Sequence, residues 1–111
     1  MRENTDIVSV LIRQRLKRSE FLRPLQSIAE IAWRILLQVY ASAPNTGCSI
    51  DSLVTSLEME QREMTRYISV LCRYDYIAEE YSTLWLTEAR RIEMDAVLAH
   101  MTQDMLSSLN A

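Results

Sequence analysis

Apolar side chains recur at three- and four-residue intervals along much of this chain, and the places where the rhythm fails mark its joints. Between Thr5 and Arg18, Val8, Leu11, Ile12 and Leu16 keep the helical period with basic residues on the opposite side, which predicts an amphipathic helix. Pro24 interrupts the next segment. From Leu25 to Ala41 the period resumes through Ile28, Ile31, Ala32, Ile35, Leu36 and Val39, an apolar face wide enough for a central core helix. Ala43-Pro44-Asn45-Thr46-Gly47 holds the only glycine and the second proline, so a chain reversal is expected there.

Beyond that reversal the elements become shorter. Cys48-Ser49-Ile50 predicts one extended piece, with Ser49 or Asp51 capping a short helix that runs to about Leu57 and turns Leu53 and Leu57 inward. Glu58 to Glu60 forms a break. A second helix to Tyr74 then places Met64, Ile68 and Leu71 inward, leaving Gln61, Arg62, Thr65, Arg66, Ser69 and Arg73 outward. Ile77 to Tyr81 and Leu84 to Leu86 alternate as two strands of a small hairpin joined by Ser82-Thr83. Thr87 starts a last helix, Glu88 to about Leu109, whose Met94, Leu98, Met101 and Met105 form a seam that wants a partner helix. The basic N-terminal helix is the candidate, either within one chain or between two interlocked copies.

Composition narrows the function classes. At 111 residues, 49% apolar and 24% charged, the chain is one domain's worth and can bury a core without disulfides or a structural metal. A single glycine argues against Gly-rich nucleotide-binding loops. Two cysteines and one histidine leave no four-ligand metal site and no histidine-based triad, so the expectation is no enzyme and no cofactor. Glu79 and Glu80 alternate across a strand instead of converging as paired acids. Neither a cleavable leader nor a run of roughly 20 apolar residues is visible, which points to a cytoplasmic protein without a membrane partner. Charge is uneven: residues 1–24 carry six basic and three acidic groups, a net of +3, and the remainder carries six basic and twelve acidic groups, a net of −6. An acidic body counts against nucleic-acid binding through phosphates alone.

Helix, short strand, short helix, longer helix and hairpin within about sixty residues is the order of a winged helix-turn-helix, in which the second of two steeply packed helices stands proud and can enter a major groove. The stretches Ala32–Tyr40, Ser49–Leu53, Met64–Leu71, Asp75–Ile77 and Leu86–Arg90 resemble the MarR-type winged-helix regulators, and more closely the small MarR-like proteins of sphingomonad-type bacteria. The resemblance covers roughly residues 15–100. It implies a homodimer that inserts each recognition helix into the major groove of double-stranded DNA, through positions that match Arg62, Thr65, Arg66 and Ser69. It also implies a wing that reaches the minor groove with a basic tip. Here the chain departs from the pattern, because Glu79-Glu80-Tyr81-Ser82-Thr83 contains no arginine and two carboxylates there repel phosphates.

The fold class expected is therefore mainly α with a small β-hairpin: residues 1–24 and 88–111 as a dimerisation layer, residues 25–87 as the winged helix-turn-helix. The DNA-binding set is Gln61, Arg62, Thr65, Arg66, Ser69 and Arg73, and the dimer set is Val8, Leu11, Ile12, Met94, Leu98, Met101 and Met105. Each has a plainer reading. Arg62, Thr65 and Arg66 can be the solvated side of a packed helix, paired with Glu58, Glu60 and Glu63. Arg13, Arg15, Lys17 and Arg18 can add phosphate contacts or merely solubilise their helix. The methionine stripe can line an effector pocket, although packing is the better reading. Trp33, Tyr40, Tyr67, Tyr74, Tyr76 and Trp85 fit core and rim, Cys72 a core position, Cys48 a redox sensor only if exposed, and His100 a surface or packed site. The rival function is a winged-helix protein-interaction module with weak or no DNA binding.

Overall fold

A computed structural model describes residues 2–42 and 45–110, with side chains described over 6–42 and 45–107. Ala43 and Pro44 of the expected reversal, and the side chains of Thr5 and Leu109 at the expected helix ends, lie outside the described residues. The elements are α1 (Arg2–Phe21), a 3-10 turn (Arg23–Ile28), α2 (Ala29–Ala41), β1 (Cys48–Ser49), α3 (Ile50–Ser56), α4 (Gln61–Arg73), β2 (Ile77–Glu80), β3 (Thr83–Leu86) and α5 (Glu88–Asn110). The chain is mainly helical, with one small antiparallel sheet.

Two boundaries differ from expectation near Pro24. The first helix runs on to Phe21, and the second starts at Ala29 instead of Leu25. Pro24 has no N–H to give, Leu25 leaves helical geometry at φ −115° and Ile28 does so at φ −126°. Gln26 folds back and donates its Nε2 to the carbonyls of Ser19 (3.1 Å) and Leu22 (3.2 Å), closing the end of α1. The break thus lets Leu22 and Leu25 both drop into the core, where each is essentially fully buried.

The helix ends show how a chain with one glycine makes its turns. Ser49 Oγ accepts from the Ser52 N–H at 3.1 Å and caps α3. At the other end of α3, Met59 donates to Val54 O and Glu58 to Thr55 O, with Glu58 at φ +50°. The end of α4 repeats the arrangement: Tyr76 donates to Leu71 O, Asp75 to Cys72 O, and Asp75 sits at φ +58°. These paired bonds are Schellman closures with carboxylate residues in the left-handed position that glycine usually fills, at a cost of roughly 1 kcal/mol each.

The sheet has order β1-β3-β2, so the short extended piece at Cys48 joins the hairpin as a third strand. Cys48 pairs with Leu84, and across the hairpin Ile77 pairs with Leu86 and Glu80 with Thr83. Thr83 therefore belongs to the strand and Tyr81 to the turn, one step from the expected register. Tyr81 and Ser82 both have positive φ, +52° and +61°, which matches the right-handed twist of the strands they join. Gly47, at φ +67°, lies under this sheet: a Cβ there would stand 2.6 Å from Thr83 Cγ2, 2.7 Å from Trp85 Cε2 and 2.9 Å from Leu84 O.

One core unites all three sequence segments. Phe21 and Leu22 from α1 and its exit, Trp33, Ile35 and Leu36 from α2, Leu53 from α3, Met64, Ile68 and Leu71 from α4, Leu84 from β3 and Met94 from α5 share it. At its centre Tyr76 is fully buried and donates its hydroxyl proton to Phe21 O at 2.5 Å. The Phe21 ring meets Tyr76 and Trp33 edge to face, and the Arg90 guanidinium covers Tyr76 at 3.8 Å. Helices α1 and α5 run antiparallel, with Arg13 pairing Asp104 at 3.5 Å and Gln14 Nε2 donating to Met101 O at 3.3 Å. Their length draws the protein out to 50 Å, with a radius of gyration of 15.5 Å where about 13 Å suits a compact chain of this size.

Two tests follow from this packing. Gly47→Ala must strain both the backbone and the sheet contact, and is expected to cost about 2–4 kcal/mol in urea unfolding. Burial pushes the Tyr76 hydroxyl above its ordinary pKa of 10.0, with nearby Arg90 opposing the shift. The folded chain holds that proton more tightly than the unfolded one, so the stabilisation is complete below pH 10 and is lost as pH rises through the folded value. Tyr76→Phe should lower stability by about 1–2 kcal/mol at neutral pH and flatten the decline above pH 10 in thermal melts.

Candidate nucleic-acid interface

Helix α4 is amphipathic in the strict sense that its two sides have different jobs. Met64 and Leu71 are fully buried and Ile68 nearly so, which fixes the rod to the core along one stripe. Gln61, Arg62, Thr65, Arg66, Ser69 and Arg73 are all exposed, as the sequence pattern predicts. At 3.6 residues per turn, Arg62, Thr65, Arg66, Ser69 and Arg73 fall within about 100° of the helix circumference, so they form a single face about 17 Å long. Thr65 donates its hydroxyl proton to Gln61 O at 2.9 Å, which leaves the hydroxyl oxygen able to accept.

Electrostatics distinguish this face from the rest of the surface. The ion pairs among the described residues are Arg13–Asp104, Arg18–Glu30 and Arg90–Glu93, and none takes Arg62, Arg66 or Arg73. Glu58, Glu60 and Glu63 are exposed close by in sequence, yet they do not neutralise these arginines through direct contacts. The basic N-terminal helix behaves differently. Arg13 and Arg18 are held by α5 and α2 respectively, leaving Arg15 exposed on α1.

The hairpin presents the opposite character. Ala78, Glu79 and Glu80 are exposed along β2, and Tyr81 at the tip is 94% exposed. The tip is tied down from behind, because Ile50 donates its N–H to Ser82 O at 3.0 Å. Sequence reading places the turn one residue late, at Ser82-Thr83, because Tyr-Ser carries none of the Asn-Gly or Asp-Gly chemistry that marks such hairpins.

Other candidates resolve as follows. Met94 is fully buried in the core of its own chain, so it cannot face a second copy; Leu98 and Met101 are half-buried against the same core, and Met105 is exposed. Val8, Leu11 and Ile12 are also exposed, each by more than half, because α1 packs on its own chain through Val10, Gln14 and Phe21 instead. A cavity of about 430 Å³ opens between α1, the 3-10 turn and the start of α2, with Arg15, Ser19, Gln26 and Tyr67 in its wall and no methionine. Cys48 is buried, with its thiol directed at Ser49 O, which removes the exposure a redox sensor needs. Burial and then Glu79 push the Cys72 thiol up, away from the reactive thiolate. His100 is exposed beside Lys17, Glu20 and Glu93. Among the described residues no cluster of His, Cys, Asp or Glu could hold a metal, and no helix is long and apolar enough to cross a membrane.

Since Arg62 and Arg66 are exposed and form no ion pair among the described residues, their replacement should be nearly silent for folding. Arg62→Ala and Arg66→Ala are each expected to shift unfolding free energy by less than about 0.5 kcal/mol, measured by urea denaturation. Compared with known proteins, the chain matches no family model, no curated protein and no solved structure.

Proposed function

We propose that this chain is a DNA-binding transcriptional regulator of the MarR-like winged helix-turn-helix type, acting as a repressor that covers a promoter. In this reading α3 and α4 are the helix-turn-helix, α4 is the recognition helix and the β2–β3 hairpin is the wing. The observation that carries it is the outer face of α4: three arginines, a threonine and a serine on one side of a core-anchored rod, with no intramolecular ion pair on any of the arginines. Arginine offers a rigid fork to guanine O6 and N7 or to phosphate, while Thr65 suits phosphate or a thymine methyl and Ser69 phosphate or a base edge. Two copies related by a two-fold axis would read half-sites one DNA turn apart, so the operator should have dyad symmetry.

The acidic hairpin favours a second reading, a protein-interaction module. Glu79, Glu80 and the exposed Tyr81 suit a cationic protein surface better than the phosphate backbone. Salt dependence separates the two. Titration of the protein's own upstream DNA should show affinity falling steeply between about 50 and 200 mM salt, as release of phosphate counterions requires. Arg66→Ala is expected to cost about 1–3 kcal/mol of operator binding if it reads a base, or to reduce the salt slope by about 1 if it holds a phosphate. Undiminished binding by both Arg62→Ala and Arg66→Ala would remove α4 from the interface, and salt-insensitive or absent binding would favour the module.

A further inference from the structure

Glu63 is the single acidic residue of α4, third along the helix and exposed between Arg62 and Arg66. A carboxylate at that position ordinarily has one of two tasks within its own chain. It reaches back to the N–H of the residue that opens the helix, or it pairs with a base one turn on. Among the described residues Glu63 does neither: no side-chain bond joins it to Glu60, and the three ion pairs lie elsewhere. The positive end of the helix favours any acid in the first turn and does not call for one beside the arginines. Glu63 and Arg66 instead line, with Ile28, Tyr67 and Val70, an open notch of about 290 Å³ where α4 meets the start of α2. Being three residues apart, the two stand about 60° from each other around the helix and about 4.5 Å along it, each with its charge unmet.

Against DNA, an unpaired carboxylate has few favourable partners. It accepts hydrogen bonds and donates none. Phosphate oxygens, guanine O6 and N7 and thymine O4 also accept, so each of them repels it. The donors in the major groove are the amino groups of cytosine and adenine. Adenine sets the acceptor N7 beside its amino group, whereas cytosine has only a C–H there, which makes cytosine the edge that suits a carboxylate. Residues near the start of a recognition helix are the ones that reach base edges. We infer that Glu63 reads a cytosine: its carboxylate accepts from the N4 amino group in the major groove, while Arg66 beside it takes a neighbouring guanine or a phosphate. The assignment rests on the reading of α4 as the recognition helix. It adds to that helix a specificity residue which the sequence pattern offers only as a partner for the arginines. Facing any other base, the carboxylate meets an acceptor, so Glu63 selects by penalty as well as by attraction.

Selection from a randomised DNA duplex at fixed salt tests this, with the full chain as wild type, Glu63→Gln and Glu63→Ala. The wild type should enrich a site in which one position of each half-site is cytosine, favoured about tenfold over the other bases. Glu63→Gln, whose amide both donates and accepts, should move that one position to adenine and leave the rest of the site unchanged. Glu63→Ala should leave the same position unread. A role confined to helix stability would move none of these preferences. Identical base profiles from all three proteins would overturn the assignment. So would variants that bind every sequence more tightly with the profile intact, since Glu63 would then only repel phosphate. Both substitutions fall at an exposed, unbonded position, so circular dichroism and urea unfolding should match the wild type. A loss of folding in both would make Glu63 a structural residue and overturn the assignment as well. A wild-type chain that enriches no sequence at all would instead remove α4 from DNA, and the cytosine contact with it.

Discussion

A single buried phenol organises the molecule. Tyr76 lies just past α4, at the point where the chain turns from the helix into the sheet, and its hydroxyl reaches the carbonyl of Phe21 at the end of α1. Burying that hydroxyl in an apolar centre is tolerable only because the partner is there. The requirement fixes three things at once: where α1 stops, how α4 leaves, and where α5 begins. Arg90 in the first turn of α5 lies over the same ring and donates to Tyr74 O at 3.2 Å, while Thr87 bonds to Asp75 O. The long helix pair and the candidate recognition helix are thereby referenced to one point, which gives the outer face of α4 a defined orientation relative to α1.

What was legible in the sequence follows the strength of the local signal. The inner stripe of α4, its exposed face and the inward residues of α2 were written in the helical period, and of the two caps the sequence offers for α3, Ser49 and Asp51, the structure uses Ser49. The start of α2 was not, because Leu25 and Ile28 keep the helical spacing while Pro24 and the pull of two leucines toward the core break the backbone. The left-handed closures at Glu58 and Asp75 carry no glycine to announce them, and neither does the Tyr81-Ser82 turn. The intramolecular face of α1 was hidden for a different reason. The sequence leaves its apolar stripe free to pair within the chain or with a second copy, whereas the intramolecular contact uses Val10, Gln14 and Phe21, a mixed stripe tied by side-chain bonds to α5.

Net charge alone misleads about the surface of this protein. The chain is acidic overall, at −3, yet its acids and bases are not evenly matched in space. The basic groups of α1 are partly consumed by Asp104 and Glu30, whereas the arginines of α4 are not consumed at all. Local potential near a groove depends on those nearest unpaired charges more than on the total, because salt screens the rest within about 10 Å. An acidic domain with an uncompensated cationic rod is therefore physically able to approach a polyanion through that rod and to repel it elsewhere, which favours one docking orientation over many.

The sheet adds a constraint on assembly of any kind. Strand β2 lies at one edge of the sheet, where it carries Glu79 and Glu80, and the opposite edge, β1, is two residues long and passes directly into α3. Carboxylates along one border and brevity at the other deny an incoming strand a ladder to extend. Strand exchange and fibre-like growth are disfavoured at both margins, so this sheet is poorly suited to growing edge to edge into a larger one.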